Sequence, residues 1–362
     1  MNVLRTRAYK KLDSMKAKNA LITGSTSGIG LGIAIEFAKA GYNLVFRDYA
    51  WKVWGDPKTL SWELGKKRVP ISGLFGFVKN MLSKKEKAKI SAEFFYYPKQ
   101  GMGEFCEKLY KDIKKNNEVI LNATPKEIIV KNNKAESIIY NCKNKNTKIS
   151  NPKYIISTIP VPQLISMITP SPSKRVIDAA KALKCNSIIL VHIFIEKEKI
   201  LSDNWVFFPE KEYVFNRVSE QNSFSKFTCK QGVSVICAEI TSPKDKGVYN
   251  LSDSDIIERV FFDLRKTKIL FDDKILDIKI TKLDNVYPIY DLDYKKNMDL
   301  ILEYIDSIDN LISIGRYGLF NYNNMDHCID MAKKTTDFIV NQKPKQEWKK
   351  LRTIFDNYKI VD

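Results

Sequence analysis

Two glycine-bearing turns and one tyrosine–lysine pair hold the residues whose types and spacing can do chemistry. The first turn, Thr23-Gly24-Ser25-Thr26-Ser27-Gly28-Ile29-Gly30, follows the apolar run Asn19–Thr23 and opens the helical pattern Ile29–Ala40. A strand, a glycine turn and a helix start in that order make an anion site. Backbone N–H groups converge there, the helix dipole favours negative charge, and glycine lets a pyrophosphate come close. Gly24, Ser25, Ser27, Gly28, Ile29 and Gly30 are therefore candidate cofactor contacts. A second strand-like run, Asn43–Phe46, leads to Arg47 and Asp48. The Asp48 carboxylate suits the ribose hydroxyls of NAD and FAD equally, and Arg47 suits the 2′-phosphate of NADP.

The second turn runs Gly315-Arg316-Tyr317-Gly318-Leu319-Phe320-Asn321-Tyr322-Asn323-Asn324-Met325-Asp326. It joins a buried strand, Asn310–Ile314, to a helix expected from Asp326 to Asn341. Gly315 lets the backbone pass close to a flat ring, and Asn324, Met325 and Asp326 stand where free helix N–H groups stabilise negative charge. With Arg316 they complete the candidate cofactor contacts. The same residues also read as an ordinary strand–turn–helix with a capping acid. Tyr110 and Lys114 have the Tyr-x-x-x-Lys spacing of an acid/base pair one helical turn apart. They stand in a short polar helix with no convincing catalytic serine on a strand before them, so a solvated pair is the better reading.

Elements must hold these residues in place, and the chain of 362 residues, 44% hydrophobic, is long enough for substantial cores. Strands are expected at Val119–Leu121, Glu127–Val130, Ser137–Asn141 and Tyr154–Thr158. Helices are expected at Glu104–Lys115 and Asp253–Lys266, and a tail helix carries Trp348, Leu351, Phe355 and Tyr358. The net charge of +18 comes from fifty lysines and ten arginines against 42 acids. Lysine spread along the whole chain reads as composition bias, so no nucleic-acid partner is expected. Six scattered cysteines and two histidines spell out no metal site. No apolar run is long enough for a membrane span. A signal-like start, basic Arg5–Lys18 and then Ala38-Lys39-Ala40, is interrupted by Glu36, and a cytoplasmic protein is expected.

From about Tyr49 to Ile339 the sequence resembles bacterial FAD-dependent oxidoreductases of the amine oxidase superfamily. The branch is the protoporphyrinogen-oxidase-like or UDP-galactopyranose-mutase-like one. The resemblance rests on six stretches in order: Tyr49-Ala50-Trp51-Lys52-Val53-Trp54-Gly55, Tyr97 to Gly103, Ser157-Thr158-Ile159-Pro160, Asn204-Trp205 with Phe208-Pro209, Arg217-Val218, and the Gly315 turn. Asn19–Phe46 separately resembles the opening of a short-chain dehydrogenase. The flavin-family resemblance implies an α/β fold: a Rossmann-like FAD/NAD(P)-binding domain in discontinuous segments, with an inserted sheet-rich substrate domain. The divisions expected are a basic lead at 1–18, the dinucleotide-binding domain at 19–160, with a helical insertion at about 49–90, and again at 287–342, a substrate domain at 161–286, and a tail helix at 343–362.

The same resemblance implies FAD as cofactor, a small-molecule substrate of unread identity, and hydride transfer to the flavin. It places the helix start after the Gly315 turn at the flavin pyrimidine edge. The chain departs from the family pattern in three places. Its first turn is of the dehydrogenase type, no Arg-x-Gly-Gly-like segment follows Asp48, and Pro125 stands where a valine backbone otherwise meets adenine. These departures imply a partly open cleft and weak cofactor binding. The leading function is an FAD-dependent oxidoreductase. The alternatives are an NAD(P)-dependent short-chain dehydrogenase and an inactive fused or truncated remnant.

Overall fold

The computed structural model describes residues 2–5, 45–61, 63–64, 94–244 and 246–358. Strand β1 (Asn2–Arg5) pairs antiparallel with β2 (Phe94–Tyr97), and helix α1 (Val45–Trp54) lies between them in sequence. Helix α2 (Gly103–Lys114) buries none of its residues. A four-stranded sheet follows, from β3 (Ala123–Lys131), β4 (Lys134–Cys142) and β5 (Lys145–Ser150), with β7 (Ile168–Thr169) pairing parallel to β3 at its edge. Asn132 and Asn133 turn β3 into β4 at positive φ, a conformation that asparagine tolerates.

Strand β6 (Ile155–Ser157) pairs parallel with β13 (Leu311–Ser313) across more than 150 residues of chain. Around this pair pack α3 (Val161–Ser166), α4 (Lys174–Ala182), α6 (Tyr294–Asp306), α8 (Met325–Val340) and α9 (Lys345–Asp356). Their apolar residues form one core with Ala50, Val53 and Trp54 of α1. The tail helix α9 docks through Trp348 and Phe355, both buried, on the face its spacing marks.

The second core is a five-stranded antiparallel sheet in the order β12–β8–β11–β10–β9. Its strands are β8 (Lys184–Ile195), β9 (Trp205–Phe207), β10 (Arg217–Glu220), β11 (Ser234–Ser242) and β12 (Ile275–Ile289). Alternation along β8 sends Ile189, Val191, Ile193 and Ile195 to the face covered by α5 (Asp253–Lys266), whose Ile256, Val260 and Leu264 fill it. Leu190, His192 and Phe194 stand on the opposite face, half-buried.

Two expected strands are not formed. Residues 118–122 are irregular, and β3 begins only at Ala123. The run Asn43–Phe46 is not a strand where it is described, because Val45 and Phe46 open helix α1. Tyr49, Ala50, Val53 and Trp54 recur at helical spacing and face the first core, and that burial decides a four-residue run that reads either way. Asp48 therefore sits inside a helix and does not end a strand.

Helix α1 also ties the two cores together. Lys52 Nζ donates to the carbonyls of Phe208, Glu210 and Phe215 at 2.7, 2.9 and 2.6 Å, which fastens the loop between β9 and β10. Burial pushes the Lys52 ammonium down from 10.5 to about 8, against the pull of the Glu210 and Asp263 carboxylates. Lys52→Met removes hydrogen bonds to a charged group, each worth about 1.5–3 kcal/mol, and should speed amide exchange across 207–216. The folded Lys52 releases its proton near pH 8 and the unfolded one near 10.5. The unfolded chain thus holds the extra proton in that window, and wild type gains stability over the Met variant as pH rises through it. Denaturant titrations of both proteins at pH 7 and pH 10 measure the difference.

Candidate functional site

The site begins where the parallel pair ends. β13 is buried along its length, and Ile314 N–H donates to Ser157 O at 2.9 Å, so the chain leaves the pair beside Thr158. Gly315 follows at φ +82°, a conformation that side-chain-bearing residues rarely adopt, and a Cβ placed there would meet Thr158 at 3.8 Å. A single helical turn, α7 (Gly315–Gly318), brings the chain back over the strand ends. A Cβ at Gly318 would lie 2.8 Å from Ser313 Oγ and 3.0 Å from Ser157 O, so only glycine fits. Ser313 Oγ also donates to Gly318 O at 2.6 Å and locks the turn onto its strand.

Arg316 braces this turn. Its guanidinium donates to Asn323 O and Val286 O, each at 3.2 Å, and lies over the Tyr322 ring at 5.2 Å. Tyr290 OH donates to Asn321 Oδ1 at 3.0 Å, and Trp54 Nε1 donates to Tyr322 OH at 2.6 Å. Tyr322 OH in turn donates to Pro288 O. One connected network thus joins α1, the end of β12 and the Gly315 turn. The neighbouring Cys185 thiol is pushed up to about 12 by burial, in spite of the Arg316 charge.

At the start of α8 a capping box closes between Asn324 and His327, in which Asn324 N–H donates to His327 Nδ1 at 3.1 Å. His327 stacks flat on Tyr358 with ring centroids 4.8 Å apart. Met325 and Asp326 are exposed, and their amides, the first two of the helix, have no partner among the described residues. Asn323 is buried, and its Oδ1 accepts no hydrogen bond from the described residues. The turn therefore offers two open donors and one open acceptor next to a glycine at positive φ.

The far face of the five-stranded sheet supplies a second set of groups. Arg217 Nε and Nη2 both reach Glu239 Oε1, at 2.6 and 2.5 Å, while the buried Glu239 Oε2 has no hydrogen-bond partner. Burial works against the Arg217 charge, but Glu239, with Tyr287 and Tyr49 nearby, outweighs it and holds the guanidinium above its usual value. Phe207 lies beneath that guanidinium at 5.8 Å and meets Tyr49 of α1 edge-on at 5.5 Å. Register puts His192 between Cys237 and Lys279 on the same face. Burial first, and then the Lys279 charge, lower the pKa of His192.

The structure brings Gly315, Arg316, Asn324, Met325 and Asp326 together at one turn, with Arg316 facing inward as a brace. Gly24, Ser25, Ser27, Gly28, Ile29 and Gly30 lie outside the described residues, and Asp48 is described only by its backbone. Tyr110 and Lys114 stand on the unburied helix α2, away from any buried acid/base partner. Gly318 and Asn323 are not among the candidate contacts that the sequence marks, and the Trp54–Tyr322 bond is visible only in the fold. Two nearby glycines at Gly315 and Gly318 were the available signal for the first. A cavity of about 1060 Å³ lies between α1 and α5 and is lined by none of the candidate cofactor contacts. Among the described residues no group of three or more metal-ligating side chains occurs, and no helix is long and apolar enough to cross a membrane.

No protein-family model matches the chain, and no curated protein does. Solved structures do. A reduced UDP-galactopyranose mutase aligns with a TM-score of 0.67 and 19% identity, over 85% of this chain and 66% of that one. A protoporphyrinogen oxidase candidate from Exiguobacterium sp. 255-15 aligns with a TM-score of 0.59 and 14% identity, over 80% and 61%. An oxidoreductase from Methanosarcina mazei aligns with a TM-score of 0.50 and 15% identity, over 78% and 62%. The chain spans 66% or less of the length of each. At these identities the likeness is one of fold: the chain shares the mixed helix-and-sheet fold of the mutase and of the protoporphyrinogen oxidase candidate.

Proposed function

We propose that the chain is an FAD-dependent oxidoreductase acting on a small molecule. The observation that carries this reading is the Gly315 turn. It lies at the carboxyl ends of a parallel strand pair, where α/β folds bind ligands, and opens a sixteen-residue helix with two unpartnered amides. A flavin pyrimidine edge alternates carbonyls with an N–H, and the open Met325 and Asp326 amides and Asn323 Oδ1 match that alternation in type. When bound, FAD supplies the hydride acceptor for a C–N or C–H bond.

The chain's own residues supply position and charge. Gly315 lets the ring approach, the α8 dipole stabilises negative charge on it, and Arg316 keeps the turn rigid. The first core would form the cofactor-holding body, and the Arg217–Glu239 face of the sheet would form the substrate wall. The short-chain dehydrogenase alternative finds no acid/base site among the described residues. Visible flavin absorbance that travels with the purified protein, passes into the filtrate on denaturation and returns to the protein on refolding with added FAD, is the expected result. A colourless protein that takes up no FAD would overturn the reading.

Met325→Pro tests the helix start directly. Met325 is the first helical residue, Asn324 before it is extended at ψ 175°, and proline is favoured at that position. The variant should therefore fold and lose only one N–H donor. FAD affinity should fall by an amount within about 0.3–2 kcal/mol. Neutralising Lys143, in the turn between β4 and β5, and Lys145, which opens β5, should leave it unchanged because distant charge is screened. Fluorescence titration of FAD against both variants decides it.

A further inference from the structure

A second cavity, of about 320 Å³, opens at the amino ends of β6 and β13, the opposite end of the parallel pair from the Gly315 turn. Its wall is apolar and aromatic: Tyr154, Ile312, Phe338 and Trp348. Its rim carries Lys153, Lys343 and Lys345 against the one carboxylate of Asp309. We propose that this cavity binds a small organic anion, its flat or short-chain apolar body lying against Phe338 and Trp348 and its head group held between the three lysines.

The charge balance argues for an anion. Asp306, the other carboxylate acting on Lys345, is already taken by Arg352 at 2.6 Å, and Lys153 and Lys343 make no ion pair among the described residues. Lys345 is half-buried, and its Nζ is fixed by donating to Ile308 O at 2.7 Å. That leaves its other two N–H groups for a ligand. Burial lowers its pKa, against the pull of Asp306 and Asp309. The C-terminal carbonyls of α8 would oppose an anion, but the Gln342 and Lys343 amides donate to Ile339 O and Phe338 O and satisfy two of them.

The size also fits. A volume near 300 Å³ is the low end for a small-molecule site, and apolar walls with a few placed charges are the usual lining. The carboxyl-end position of the proposed cofactor site leaves this cavity unexplained by that site. The two sites are independent, and so are their tests.

The probe is 8-anilinonaphthalene-1-sulfonate, an organic anion with a flat apolar body, titrated against the full chain and followed by its fluorescence. One saturable site is expected. Its affinity should fall at least tenfold in Lys153→Glu/Lys343→Glu, two exposed positions whose change leaves the core intact, and stay unchanged in Lys143→Glu/Lys145→Glu. The neutral N-phenyl-1-naphthylamine should bind the wild type at least tenfold more weakly than the sulfonate. Non-saturable binding, equal affinity in the Lys153/Lys343 variant, or equal binding of the neutral probe would each overturn the proposal.

Discussion

Arg217→Met should lower stability by about 3 kcal/mol, the low end for breaking a buried ion pair, because the guanidinium is itself partly exposed. The cost falls on Glu239. Its side chain is 8% exposed, Arg217 supplies its only ion pair among the described residues, and its Oε2 already lacks a partner. Removing the cation leaves a buried carboxylate with no neutralising charge, which is worse than having no carboxylate at all. Arg217→Met/Glu239→Leu should therefore recover to within about 1 kcal/mol of wild type, since an apolar pair of similar volume is often neutral. Denaturant midpoints of the three proteins provide the measurement. A double variant as unstable as the single one would mean that the pair is incidental and that Arg217 acts through its packing on Phe207.

Gly318→Val should cost about 3 kcal/mol or more, the upper end for overpacking, and should abolish FAD binding with it. Even a bare Cβ would press on Ser313 Oγ and on Ser157 O, and the second of these is backbone of the parallel pair. The turn can then stay put only if β6 and β13 part, and that would carry Gly315 and the start of α8 away from each other. Gly315→Ala is the comparison. There the nearest atoms are at 3.8 Å, so the cost is conformational only, about 1–2 kcal/mol for a left-handed residue. Thermal and denaturant unfolding should rank Gly318→Val as the more damaging. The reverse ranking would show that backbone conformation, and not close approach, sets the geometry of the turn.

Much of the frame around this turn was legible in the sequence. The apolar runs at β6 and β13 mark strands, although Ile156 of β6 is exposed, and the periodicity of α5 and α8 gave their extents to within a residue, while the tail helix expected over 343–362 is the shorter Lys345–Asp356. Local pattern was enough because each of these elements buries one clear stripe. It failed at Asn43–Phe46, where four apolar or neutral residues carry no period of their own and the following Tyr49–Trp54 face decides. Lys52 reads as an ordinary surface lysine within its motif, because the three carbonyls it binds lie more than 150 residues away. Arg217 was visible as part of a motif. Its partner Glu239 was not, since register across two strands is a property of the folded sheet.

The way the two cores are threaded sets an order for folding during synthesis. The core of the five-stranded sheet draws on a continuous stretch, Ile189 to Leu270, and can close soon after that stretch leaves the ribosome. The other core draws on Ala50, Leu164, Ala180, Leu311, Met331 and Phe355, so its earliest apolar surfaces wait for its last. At about 5–20 residues per second, the gap from Ala180 to Phe355 lasts on the order of ten seconds or more. Early in that interval the face of α4 waits uncovered for α6, its main packing partner, and a ribosome-associated chaperone would find its binding surface there. Stop codons placed before α9 should therefore yield a protein with a folded sheet and an open cofactor body, recovered as aggregate unless α9 is supplied in trans.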